Sequence, residues 1–378
     1  MSVDQPRIGF LFLGGAHQAL HIAPIAAALA HGGQAQVSLF APPEEVGELA
    51  ALLSQLEYQA TPLPLPIPPW LSNLQGATFP GMEPKLARLL ANHRRLGELD
   101  VLVAAERTST VLKALPGFSP RLVHVPHGAG DRARGFEKRI RRFDHVIASG
   151  PKDRSRMIRE RLVVPRGCSI SGSVKVSTVL SHPQMGARRR LFANDRPVVL
   201  YNPHFDPSLS SWEMFGPSLA AAFRDQDQYN LVIAPHVRLA RGWTPAQRAA
   251  FEVLAVEDRI LVDAGSTRSH DMTYTLAADI YVGDVSSQVY EFLARPRPCV
   301  FLDRGLSPAP HDSSFAFWSL GERIEDPTAV LAAVARAQAA HAGYRERQRL
   351  AAVAALGPLD GAAQAAAQVL LRIARAAA

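Results

Sequence analysis

Short apolar runs recur along this sequence at helix-length intervals and restart after an arginine-rich break, and no other feature constrains the fold as tightly. Runs at residues 8–13, 36–40, 99–104, 123–125, 146–149 and 168–171 each suit one buried strand and are too short for a buried helix. The first stops at Gly14-Gly15 and is followed by a periodic stretch at 21–29, a strand, glycine turn and helix. Helical patterns occupy 43–56 and 84–95, whereas the proline-rich stretch 63–69 reads as an irregular loop. A second series of runs follows at 198–201, 231–234, 260–262, 280–283 and 299–302. Such alternation builds mostly parallel sheets with helices on both faces. The expected architecture is α/β, with two Rossmann-like domains facing each other across a cleft. Domain limits fall at 1–180 and 197–330, with the polar, arginine-rich stretch 178–196 as junction and alanine-rich helices at 331–378 that cross back to the first domain.

With 378 residues, 47% of them hydrophobic, the chain can fill a core in each domain. Its 41 Lys and Arg against 34 Asp and Glu give a formal +7, which favours anionic partners. Nucleic acid is not expected among them, because no aromatic-basic interleaving, zinc-finger spacing or RNA-binding motif is present. Cys168 and Cys299 lie in separate strand-like runs and read as buried free thiols of a cytoplasmic protein. The apolar run at the N-terminus is too short for a spanning helix and lacks the layout of a signal peptide, while the arginine surplus is compatible with peripheral contact at an anionic inner membrane face.

Ligands of doubly wound sheets bind outside the carboxyl ends of the strands, and four polar clusters fall there. Asp284-Val285-Ser286-Ser287 ends a strand and opens a helix, so unpaired amides and hydroxyls would converge on an anion such as a diphosphate. An ordinary helix cap is the alternative reading of the same residues. His127, in Pro126-His127-Gly128, is the candidate general base, since imidazole titrates near neutrality; a role in stabilising the turn is the alternative. His17 follows the glycine pair and is a second catalytic candidate, whereas His124 sits inside its strand and reads as packed. His236 and Arg238 follow the strand at 231–234 and, with Lys175 or Arg268, would neutralise a diphosphate without a metal. No metal site is expected, because no His-Glu-x-x-His or Asp-x-Asp spacing occurs, and the glycine pair lacks the dinucleotide fingerprint, so no cofactor is called for.

Together VHVPHGAGD at 123–131, FDHVIASGPKDRSRMI at 143–158, Ala234-Pro235-His236 and the segment 274–303 resemble the CDP-glycerol glycerophosphotransferases and their relatives among the two-Rossmann-domain (GT-B) glycosyltransferases. A looser similarity reaches the non-hydrolysing UDP-N-acetylglucosamine 2-epimerases, which share that fold. The resemblance implies a transferase moving a glycosyl or glycerophosphoryl group from a nucleotide-diphosphate donor to a hydroxyl acceptor in cell-surface polymer or glycan synthesis. It further implies that His127 is the base, that His236 and Arg238 meet the donor, and that Asp284, Ser286 and Ser287 hold its diphosphate, with Glu291 one turn into the helix. Ala129-Gly130-Asp131-Arg132 stands where the family has Thr-Pro-Leu-Lys, which leaves sugar and glycerol phosphate both open as the transferred group. Epimerisation, with Glu106 and Asp131 as acid-base candidates, and donor binding without turnover are the alternatives.

Overall fold

Strands whose every residue is apolar must be covered on both faces, and each observed sheet contains such strands in its interior. A computed structural model describes residues 5–69, 71, 84–128, 130–131, 136–284, 286, 288–306 and 313–376. These fall into two units. The first takes in described residues up to 127, 136–178 and from 357 onward; the second takes in those of 128–135 and 179–356.

In the first unit, seven parallel strands run in the order β3 (Leu63–Pro64), β2 (Gln36–Ala41), β1 (Arg7–Leu11), β4 (Val101–Ala104), β5 (Arg121–His124), β6 (His145–Ala148) and β7 (Cys168–Ile170). Strand order reverses between β1 and β4, as in a Rossmann fold. All four residues of β4 are buried, the condition that produced its unbroken apolar run. Where the sequence suggested a loop, Leu63 and Pro64 pair with Phe40 and Ala41; at the sheet edge a proline costs no inner ladder bond.

Helix α1 (Ala16–Gly32) buries Ile22, Ile25, Ala26 and Leu29 on this sheet. Further along the chain lie α2 (Val46–Gln55), α3 (Pro84–Leu96), α4 (Pro151–Arg159) and α5 (Val174–Ser181), and the chain passes to the second unit within α5.

The second unit holds six parallel strands in the order β10 (Ile260–Val262), β9 (Asn230–Ile233), β8 (Val198–Asn202), β11 (Ile280–Gly283), β12 (Cys299–Leu302) and β13 (Glu322–Ile324). Its reversal lies between β8 and β11. Sequence reading missed β13, an edge strand whose Arg323 pairs with Asp303 and Glu325 and so breaks the apolar pattern. The helices here are α6 (Trp212–Arg224), α7 (Pro245–Glu252), α8 (Thr273–Ala277), α9 (Gln288–Phe292), α10 (Val330–Ala339) and α11 (His341–Leu356).

Gln348 fixes α11 within this unit. It is fully buried and donates to the carbonyls of Leu320 at 2.7 Å and Arg297 at 2.9 Å, while accepting from His341 at 3.1 Å. The chain then turns at Gly357, φ 66°, and α12 (Ala362–Arg375) packs with α1 in the core of the first unit. Alanines at 362, 363, 366 and 367 allow that close approach. Both cysteines are buried and free. Among the described residues, no helix is long and apolar enough to cross a membrane.

The return into the first unit depends on Gly172, whose φ is 95° and where a Cβ would overlap the carbonyl oxygen of Pro358. Gly33 also has positive φ, 62°, but faces open space. Gly33→Ala should therefore lose only the left-handed backbone cost, about 1–2 kcal/mol. Gly172→Ala adds a backbone collision and should lose more than about 3 kcal/mol. Thermal unfolding of the two variants checks this, and equal losses would refute the close approach.

Candidate functional site

In the first unit the polar groups gather at the carboxyl ends of β1, β4 and β5. α1 starts directly after Gly15, φ 85°, so His17, Gln18 and His21 all lie in its first two turns. A Cβ on Gly14 would overlap the Gln18 carboxamide, so the glycine pair makes room for a side chain. His127 Nδ1 lies 2.9 Å from the carbonyl oxygen of Ala105. A carbonyl only accepts, so the proton is on Nδ1 and the neutral ring keeps its lone pair on Nε2. Gln18 Nε2 stands 3.3 Å from that nitrogen. The rings of His17 and His21 approach edge-on, with centroids 5.9 and 6.4 Å from that of His127.

Four polar side chains in and around this cluster are buried. Burial holds the His21 pKa well below the usual imidazole value, reinforced by the charge of Lys175 and by His127 and His17, so His21 is neutral. Lys175 itself is buried on α5. His124 stacks on Phe143 and hydrogen-bonds the Ala104 carbonyl at 3.0 Å, and burial lowers its pKa to about 3. Glu106 spends its carboxylate on the amides of Thr108 and Ser109.

In the second unit the Asp284 carboxylate is fully enclosed and already supplied with donors. It accepts from the His204 amide at 2.9 and 3.0 Å, the Ser211 amide at 2.7 Å and the Ser211 hydroxyl at 2.8 Å. These bonds pin the 204–211 loop to the end of β11. Ser286 donates its hydroxyl to Asn202 Oδ1 at 3.0 Å, bridging β8 and β11 at the strand-order reversal. The same oxygen lies 3.3 Å from the Gln288 amide and caps α9, which is only 5 residues long. Ser287 lies outside the described residues.

Beside them, His236 Nδ1 accepts from the Arg238 amide at 3.2 Å, and the Arg238 guanidinium lies 4.1 Å from the centre of the Phe205 ring. Phe205 in turn packs on His236, centroids 4.7 Å apart. Glu291 is buried and lines a narrow cleft with Arg268, Ser269, Tyr274 and Gln288. In this cleft the buried Ser269 hydroxyl has no hydrogen-bond partner among the described residues. Asp131 accepts from the Tyr290 hydroxyl at 2.6 Å.

Each unit thus brings its sequence-predicted residues together at the strand ends: His17 and His127 in the first, His236, Arg238, Asp284, Ser286 and Glu291 in the second. Sequence reasoning missed Gln18, His21, Asn202, His204, Ser211 and Ser269. The signal for Asn202 and His204 was present, since they stand at and just past the end of β8 as Asp284 stands just past β11. Among the described residues no group of three or more His, Cys, Asp or Glu is arranged to hold a metal ion.

No protein-family model and no curated protein sequence matches this chain. Solved structures do. A protein from Listeria monocytogenes given as a candidate UDP-N-acetylglucosamine 2-epimerase aligns at 13% identity and TM-score 0.68, over 98% of this chain and 96% of its own. UDP-GlcNAc 2-epimerase from Neisseria meningitidis, bound to UDP-GlcNAc, aligns at 12% identity and TM-score 0.62, over 97% and 100%. The wall teichoic acid polymerase TagF, soaked with CDPG, aligns at 12% identity and TM-score 0.58, over 98% and 88%.

Burial raises the Asp284 pKa from 3.8 to about 6, against the pull of its His204 and Ser211 donors. Between those values the folded protein holds a proton that the unfolded chain has released, so this group's contribution to stability falls as pH rises through the window. Asp284→Asn cannot titrate. From about pH 4 to about pH 7 wild type should lose on the order of 3 kcal/mol relative to the variant, read from urea unfolding across that range. A constant difference would show that the carboxylate titrates normally. The chain has the two-Rossmann-domain GT-B fold.

Proposed function

We propose that this protein is a transferase that moves a glycosyl or glycerophosphoryl group from a nucleotide-diphosphate donor to a hydroxyl acceptor of a cell-surface polymer or glycan, working at the inner membrane face. The observation that carries the reading is the fixed tautomer of His127. Its Nδ1 proton is committed to Ala105, so the ring lone pair that a general base requires lies on Nε2, beside the Gln18 carboxamide. His127 Nε2 takes the proton of the acceptor hydroxyl, and the oxygen attacks the donor. In glycosyl transfer the bond from sugar carbon to phosphate oxygen breaks and a nucleoside diphosphate leaves; in glycerophosphoryl transfer a phosphorus–oxygen bond breaks and a monophosphate leaves.

The second unit holds the donor in this reading. His236 and Arg238 meet the diphosphate, Arg268 adds charge, and Glu291 lies one turn into the helix that opens beside them. Asp284 and Ser286 position the surrounding loops through the hydrogen bonds described above, and arginine charge takes the place of a divalent cation.

Epimerisation needs a carboxylate able to exchange a proton at a sugar carbon. Glu106 is tied to the Thr108 and Ser109 amides and Asp131 bonds the Tyr290 hydroxyl, which favours transfer over that alternative.

The test is to incubate the protein with CDP-glycerol and UDP- and GDP-sugars and to separate the released nucleotides. Transfer predicts a released monophosphate or diphosphate. Interconversion of the sugar without acceptor-dependent release, or binding with no product, would overturn it. His127→Ala should lower turnover about a hundredfold or more with donor affinity nearly unchanged. Equal losses of activity and melting temperature would assign His127 to the turn instead. EDTA should leave the rate unchanged, and a rate restored only by added magnesium or manganese would refute charge neutralisation by arginine.

A further inference from the structure

Gln18 has a hydrogen bond on one side of its carboxamide and none on the other. Its Nε2 faces His127 Nε2 at 3.3 Å, whereas its Oε1 is buried without a hydrogen-bond partner among the described residues. The side chain is only 8% exposed and fills the space that a Cβ on Gly14 would take. Its backbone is anchored at the start of α1, where the Gln18 amide donates to the Gly15 carbonyl at 2.9 Å. A buried carbonyl without a donor is destabilising, so its place beside the candidate base calls for a reason.

We propose that Gln18 is a positioning residue serving both protonation states of His127: it donates to the Nε2 lone pair of the neutral ring and turns its carboxamide over to accept from Nε2–H once the ring has taken a proton. The inference rests on the reading of His127 as base. The two ends of a carboxamide are nearly equal in size, so the turn needs no extra room. The proton comes from the acceptor hydroxyl and rests on Nε2, while Nδ1–H stays on Ala105 throughout. The rings of His17 and His21 from α1 approach that of His127, and the charge of His127 is felt by His124 on β5, while Lys175 of α5 acts on His21 and Arg107 on His124. The histidines, Lys175 and Arg107 are neutral or positive, and Glu106 serves the amides of Thr108 and Ser109. A proton on His127 therefore gains from an amide oxygen that becomes available only when needed.

Long-range proton–nitrogen spectra of the 15N-histidine-labelled protein, followed through pH, test this without any substrate. Wild-type His127 should pass from an Nδ1–H tautomer to the imidazolium as pH falls. In Gln18→Leu the tautomer should persist and the proton affinity drop about tenfold, and in Gln18→Glu it should rise by a similar factor. Gly14→Ala, which displaces the carboxamide, should behave as the leucine variant does. Should Gln18→Leu fail to fold, the glutamate variant alone still decides by the direction of its shift. An Nε2–H tautomer in wild type, or identical titration in all variants, would overturn the assignment. If the titrations shift as expected but His127→Ala retains full turnover, the Gln18 assignment stands and the base reading falls.

Discussion

A parallel sheet covered on both faces leaves its polar residues one place to go, the ends of its strands. β4 and β11 are buried along their whole length, and their sequences carry almost nothing that could do chemistry. Both sheets reverse strand order at an inner pair, β1 with β4 and β8 with β11, and the loops diverge there. The His17–Gln18–His127 group and the Asn202–Asp284–Ser286 group are what each unit places at its divergence. Fold and candidate chemistry are in this sense one constraint, because residues expelled from the strands are those that meet at the edge.

Buried polar groups set the detail within that edge. Asp284 shows how a carboxylate at a strand end is supplied with donors by its own chain. Enclosed, it collects the donors of the 204–211 loop, and the loop's position is fixed by satisfying it. Gln348 acts the same way at the other end of the second unit, holding α11 against the carbonyls of Arg297 and Leu320. One saturated side chain in each case orders a segment that apolar contact alone would leave free to slide.

The strands were legible because burial on both faces writes itself as short apolar runs, and the expected positions of β1, β2, β4 to β12 match those observed to within a few residues. β3 and β13 were not legible. One contains proline and the other charged residues, both tolerated because each is an edge strand. At the candidate site, single residues that stand out by type, such as His127, His236 and Glu291, could be found by reading past each strand. Partnerships could not. That Ser286 would face Asn202, or Asp284 the loop at 204–211, depends on register across β8 and β11, which no local pattern encodes.

Gly14-Gly15 illustrates the same limit. Read alone, the pair suggests a backbone brought close to a ligand, and by spacing it is not a dinucleotide motif. In the structure Gly15 takes the positive φ that starts α1, and Gly14 is bare because the Gln18 carboxamide stands where its Cβ would be. The small residue is thus the imprint of a large one four positions on. The same reasoning bears on chemistry, since a shared GT-B fold is compatible with both transfer and epimerisation. What separates them is whether a carboxylate near the sugar still has a free hand. Glu106 is held by two amides, while the proton of His127 is held on Nδ1 by Ala105, and that contrast is what the transfer proposal rests on.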